Sequence, residues 1–162
     1  MSTPAISDGV GVNRAVAELH PAGAVTSATL ITGAQVADEA IEIAHSTPSL
    51  GVGCHVVLTG SAPVLDPRGI PSLIDPATGR FHVTPGSFLM RLLAGKIRSE
   101  EIEAEVAAQI GRLRSAGIAL THVDTHKHKH THVLPVVLRP LLRAARAAGV
   151  RAIRNPFEPA WC

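Results

Sequence analysis

The sequence predicts an α/β fold built of parallel βαβ units. Stretches rich in β-branched residues alternate with stretches of helical period, the order expected when helices join parallel strands. The 162 residues are 46% hydrophobic and 17% charged, which indicates a packed core rather than a disordered chain. No repeat and no linker divides the sequence, so we expect a single domain over residues 1–162.

The first third of the chain alternates helix and strand twice. The pattern predicts a helix over 12–20, a strand over 24–32, a helix over 35–45 and a strand over 51–59. The first helix shows its apolar face in Val12, Val16 and Leu19, and Pro21 ends it. The two strands are apolar or β-branched runs next to glycines, and His55 interrupts the second.

Residues 60–86 break this alternation. They contain five prolines and few periodic apolar positions, so we expect a long loop excursion over the surface. A short helix is predicted over 87–94 and a longer one over 99–116, with Ser99 as its N-cap. A strand over 118–124, a helix over 136–148 and a last strand over 150–154 complete the prediction.

The strongest chemical signal is the segment 121–132, THVDTHKHKHTH, which holds five of the nine histidines. In an extended segment the five histidines and Asp124 would share one face. A buried parallel strand cannot carry so many polar groups, so we expect the strand to end near Asp124, with the histidines at its carboxyl end. Imidazole and carboxylate suit Zn²⁺ or another divalent ion. The alternative is a solvated histidine-rich loop that buffers metal ions without one defined site.

Two further residues are candidates for the same site. His55 lies near the end of another predicted strand, although a lone histidine in an apolar strand is more often a core residue. Asp8 precedes the first helix in SDGVGVN, where a turn or capping role is the simpler interpretation. Asn13 has no role that its spacing assigns.

Several function classes receive no support from composition. The net charge is +2 and the arginines are scattered, so no nucleic-acid partner is expected. No apolar run approaches the roughly 18–20 residues of a membrane span. Residues 1–11 have no secretory pattern, and Cys54 and Cys162 form no disulfide framework, so we expect a cytoplasmic protein.

Taken together, the motifs VNRAV, VTSATLI, SLGVGCHVVLT, THVDTHKHKH and RAIRNPFEP resemble the YdjC-like carbohydrate deacetylases, the group that includes ChbG and HpnK. The resemblance implies a TIM-barrel-like fold of the glycoside hydrolase/deacetylase type. It also implies hydrolysis of N-acetyl groups on a sugar or oligosaccharide substrate with Mg²⁺ or Zn²⁺. His55, His126 and Asp8 would then hold the metal, and Asp8, Asp124 and His128 would be catalytic.

The sequence also departs from the family pattern. Residues 1–7 lack the Asp-Asp pair that members carry at the end of their first strand, and Asp8 is the only nearby carboxylate. The family barrel continues for about a hundred further residues, so we expect an incomplete barrel. A truncated, catalytically impaired homologue that only binds a divalent metal is therefore the alternative. An unpaired sheet edge would favour a homodimer. Amidohydrolases also use an HxH pair, but on their first strand.

Overall fold

The computed structural model describes residues 5–6, 10–33, 37–126 and 134–155. Strands and helices alternate as the sequence predicts, which confirms the α/β class. In chain order the elements are β1 (Ala5–Ile6), α1 (Val10–Leu19), β2 (Ser27–Leu30), α2 (Ala37–Ser46), β3 (Gly51–Val56), a 3₁₀ turn (Pro67–Gly69), β4 (Ile74–Asp75), β5 (Arg80–Phe81), α3 (Pro85–Leu93), α4 (Ser99–Ser115), β6 (Leu120–Thr125) and α5 (Pro135–Ala147).

Four parallel strands form the main sheet in the order β1-β2-β3-β6. The strand expected over 150–154 is reduced to one bridge, in which Ile153 pairs with Val123 on the outer side of β6. The Val123 amide donates to the Ala152 carbonyl at 2.9 Å, and the Arg154 amide donates to the Val123 carbonyl at 3.0 Å. An open parallel sheet joined through helices is the arrangement of an incomplete TIM-barrel-like fold.

The two faces of the sheet differ in character. One set of alternating strand residues is mostly apolar and joins the helices in the core, in which Leu30, Cys54 and Val123 are completely buried. The intervening positions carry polar groups or glycine, namely Thr29, Gly53, His55, His122 and Asp124. Because side chains alternate across a strand, these polar residues gather on the face opposite the helices.

Residues 60–86 contribute to the core, unlike a loop that only crosses the surface. β4 and β5 pair as an antiparallel hairpin within this segment. Ile70, Leu73 and Phe81 are at most 1% exposed and belong to the hydrophobic cluster. The sequence shows no apolar period here because the buried side chains come from turns and from two-residue strands rather than from one long element.

A row of polar side chains on α4 fastens this segment to the rest of the protein. Glu101, Glu105 and Gln109 recur every four residues and are at most 7% exposed. The Glu105 carboxylate accepts the amides of Val64 and Leu65 at 2.9 and 3.1 Å. These contacts satisfy backbone groups of a segment that has no ladder partner at those positions.

The same row extends in both directions along α4. The Gln109 side chain bonds both the amide and the carbonyl of Val57, at 3.0 and 2.8 Å. Glu101 accepts the Ser72 amide at 2.7 Å. The sequence stripe of Ile102, Val106, Ile110 and Leu113 is buried as expected, but the adjacent polar row is buried as well.

The expected capping role of Ser99 is wrong. Arg98 is the N-cap of α4 and no side chain caps it, whereas Ser99 is the first helical residue and its hydroxyl donates to Glu100 at 3.0 Å. The Arg98 amide donates to the Ser72 hydroxyl at 3.0 Å, which holds Arg98 in an extended conformation, and the helix begins at the next residue, Ser99.

Within the described residues no helix is long and apolar enough to cross a membrane.

We predict that Glu105→Ala destabilises the protein by about 3 kcal/mol, because it leaves the partly buried amides of Val64 and Leu65 without their acceptor. The control is Glu103→Ala, which removes an ion pair of partly exposed side chains with Arg143 and should cost at most about 1 kcal/mol. Urea unfolding followed by circular dichroism measures both. Equal midpoints for the two variants would contradict the fastening role of Glu105.

Candidate metal centre

His55 and Asp124 face each other across the pairing of β3 with β6. They are register partners, so their side chains project from the same face of the sheet. His55 Nδ1 lies 2.5 Å from Asp124 Oδ1, and the two residues are 8% and 3% exposed. A pair this short and this shielded from water is a strong charge-assisted hydrogen bond.

This hydrogen bond decides which nitrogen of His55 is available. A carboxylate accepts but does not donate, so Nδ1 of His55 carries the proton and Nε2 keeps its lone pair. Thr29 on β2 supports the arrangement, since its hydroxyl lies 3.2 Å from His55 Nδ1 and donates to Asp124 Oδ2 at 3.4 Å. Both carboxylate oxygens are therefore engaged, and Nε2 is the nitrogen of His55 that keeps a lone pair for another partner.

His126 brings a second imidazole to Nε2 of His55. Its backbone amide donates to the Val56 carbonyl at 2.8 Å, which extends the ladder between β3 and β6 by one residue. His126 Nδ1 lies 3.4 Å from His55 Nε2, and the two rings meet edge to face, with centroids 5.5 Å apart. Two nitrogens bound to the same tetrahedral Zn²⁺ ion, each at about 2.1 Å from it, lie about 3.4 Å apart.

The spacing of the two imidazole nitrogens thus fits a shared metal ion. A metal-bound histidine usually donates its other ring N–H to a carboxylate, as His55 does to Asp124. Over the described part of the chain, no group of three or more histidine, cysteine, aspartate or glutamate side chains is arranged to hold a metal. Among the described residues, His55 and His126 are thus a pair whose spacing could hold one ion, without a third such side chain beside them.

The structure brings together three of the predicted site residues, His55, Asp124 and His126. Asp8 and His128, together with His130 and His132, lie outside the described residues. The sequence does not identify Thr29 as a site residue, because strand propensity alone explains a threonine in a run of β-branched residues. Only its register opposite the next strand reveals its contacts with the pair.

Two neighbouring residues have structural roles. Cys54 is fully buried on the apolar face, where burial and then the charge of Asp124 raise the pKa of its thiol far above the ordinary value. The thiol is thus protonated and is a poor metal ligand. Asn13 is also fully buried, and its amide donates to Glu39 at 2.6 Å, which ties α1 to α2.

His122, on the same face one layer below Asp124, is half-buried. Its Nδ1 lies 2.8 Å from the Thr121 hydroxyl. Burial lowers the pKa of His122, and the charge of Asp124 offsets part of that shift. Burial therefore favours the neutral form of the ring.

Curated relatives match much of the chain. The carbohydrate deacetylase of Brevibacillus brevis is 42% identical over 131 residues, which cover 80% of this chain and 49% of the relative. Those of Geobacillus stearothermophilus and Halalkalibacterium halodurans are 40% and 34% identical, with 78% and 80% of this chain covered and 49% and 53% of the relatives. The chain spans about half the length of these relatives.

A solved structure and a family model agree with them. A crystal structure from Enterococcus faecalis V583, of a protein named for cellobiose-phosphate cleavage, superposes with a TM-score of 0.81 at 28% identity. The superposition covers 98% of this chain and 58% of the Enterococcus faecalis chain. The family model described as YdjC-like protein matches residues 9–161. The chain belongs to the YdjC-like protein family.

Proposed function

We propose that the protein is a metal-dependent hydrolase that removes N-acetyl groups from amino sugars, in the manner of a carbohydrate deacetylase. The observation that carries the proposal is the pair formed by His55 Nε2 and His126 Nδ1, with Asp124 behind His55. This pair lies where β3 and β6 end, the edge at which α/β barrels place their ligand sites. Relatives named carbohydrate deacetylase supply the substrate class.

In this proposal His55 and His126 hold one divalent cation, and Asp8 is its third protein ligand. Both Mg²⁺ and Zn²⁺ are candidates for the family chemistry. Two imidazole nitrogens favour Zn²⁺, because Mg²⁺ prefers an octahedral shell of oxygen ligands and water. One carboxylate added to two histidines is also a common protein ligand set of hydrolytic zinc sites.

The proposed reaction is the hydrolysis of an acetamide. A water oxygen bonds to the acetyl carbonyl carbon, the bond from that carbon to nitrogen breaks, and acetate and a free amine are released. A bound divalent cation lowers the pKa of water and polarises the carbonyl oxygen. The chain must also take one proton from the water and give one to the departing nitrogen.

We assign these proton transfers to Asp8 and His128, two of the catalytic residues that the resemblance implies. Asp8 is the proposed base that takes the proton from water, and His128 is the proposed acid that protonates the departing nitrogen. Asp124 acts through His55, since both of its oxygens are committed to His55 and Thr29. It keeps the proton of His55 on Nδ1 and so leaves Nε2 free to bind.

A second candidate is a homologue that binds a divalent metal without turnover. The observation that favours it is that the described residues bring two imidazoles together without a third histidine, cysteine, aspartate or glutamate arranged to complete a metal site. The two candidates share the histidine pair and differ only in the acid–base groups. Metal binding therefore tests what they share, and acetate release separates them.

We predict that the protein binds one Zn²⁺ per chain and that His55→Ala and His126→Ala each abolish this binding. Asp124→Asn should weaken it by about tenfold, because the neutral amide holds the Nδ1 proton of His55 less firmly. Isothermal titration calorimetry measures stoichiometry and affinity. The matched control is His20→Ala, since His20 bonds the Val25 carbonyl and the Ser49 hydroxyl and should leave zinc affinity unchanged. Several weak sites that survive both alanine substitutions would indicate a metal buffer instead.

We also predict release of acetate from N,N′-diacetylchitobiose in the presence of Zn²⁺, and its loss in His126→Ala and in Asp8→Asn. The loss should be about 10²–10⁴-fold for Asp8→Asn if this residue is the base. Enzymatic detection of acetate measures the rate. Zinc binding without acetate release would establish the second candidate, and acetate release that survives Asp8→Asn would show that another residue is the base.

A further inference from the structure

The pairing of β3 with β6 contains an irregularity just below the site. Val52 pairs with Leu120 and Gly53 pairs with His122, so Thr121 is an extra residue with no partner on β3. This is a β-bulge, and bulges near functional sites redirect the side chains that follow them. If Thr121 instead paired regularly with Gly53, strict alternation from Leu120 would place His122 and Asp124 on the opposite face.

The side chain of Thr121 closes the bulge. Its hydroxyl donates to the Val52 carbonyl at 3.0 Å. The same oxygen lies 2.8 Å from His122 Nδ1. A hydroxyl has one proton, and Val52 receives it, so His122 Nδ1 must be the donor in the second contact. Thr121 therefore fixes His122 as the tautomer with its proton on Nδ1 and a lone pair on Nε2.

Gly53 provides the space that the His122 ring occupies. A Cβ atom on Gly53 would lie 2.6 Å from Nε2 and 2.7 to 2.8 Å from the adjacent ring carbons. These separations are too short for any side chain at position 53 unless the ring moves. The His122 ring therefore occupies the space that a side chain at position 53 would fill, two residues before His55 on the same face of β3.

We propose that His122 is a positioning residue of the site, held by Thr121 and seated on Gly53 so that it fixes the face from which Asp124 reaches His55. The ring forms the floor beneath the pair, because positions 122 and 124 lie on one face of β6 and positions 53 and 55 on one face of β3. When the His122 ring is neutral, the Asp124 carboxylate stays hydrogen-bonded to His55, whereas a charged His122 ring would compete for that carboxylate.

The pair of His55 and Asp124 is present whatever the site does, and only the consequence for metal affinity rests on the proposed function. The first test therefore uses the metal-free protein. Nitrogen-15 NMR of the histidine rings distinguishes the two neutral tautomers. We expect His122 to be protonated on Nδ1 in the wild type and in Thr121→Ser, and to change to Nε2 protonation in Thr121→Val, which keeps the shape of threonine but lacks its hydroxyl.

The second test measures the effect on the site itself. Thr121→Val and Gly53→Ala should both shift the low-field resonance of the His55 Nδ1 proton and weaken Zn²⁺ binding by about tenfold, whereas Thr121→Ser should do neither. An Nε2-protonated His122 in the wild type would overturn the inference, and so would an unchanged His55 resonance in both variants. If the wild type binds no Zn²⁺, the proposed function fails, and the two NMR measurements still decide the role of His122.

Discussion

The site depends on the register between β3 and β6. Parallel pairing at this register places His55 opposite Asp124, and it continues for one more residue, so that the His126 amide bonds the Val56 carbonyl. A slip of one residue would turn Asp124 toward the apolar core and leave His55 buried without a carboxylate partner. The bulge at Thr121 sets this register, and the rest of the site follows from it.

A second constraint keeps the end of β3 in place. Beyond Val56 the chain leaves the sheet, and its backbone groups must find partners elsewhere. Gln109 binds both polar groups of Val57, and Glu105 binds the next turn at Val64 and Leu65. α4 thus holds the segment that leaves the site. Its buried polar side chains form hydrogen bonds with these amides and carbonyls, which apolar side chains cannot do.

The sequence was sufficient for the α/β class and for bringing His55, Asp124 and His126 together. Parallel strands end at one edge of a sheet, so polar residues at two strand ends must meet there. The sequence was not sufficient to predict that Glu105 and Gln109 are buried, because charged and amide side chains on a helix usually face solvent. The role of Asp124 as the partner of His55 also depends on a bulge, and one extra residue in a strand leaves no mark on the apolar pattern.

In the proposed site, His55 Nε2 and His126 Nδ1 bind the same metal ion. X-ray absorption spectroscopy of the protein loaded with one equivalent of Zn²⁺ tests it most directly. We expect a first shell that includes two imidazole nitrogens at about 2.0–2.1 Å in the wild type, and no such shell in His126→Ala, which should not retain the ion. A shell made only of oxygen atoms, or one that is unchanged in His126→Ala, would contradict it.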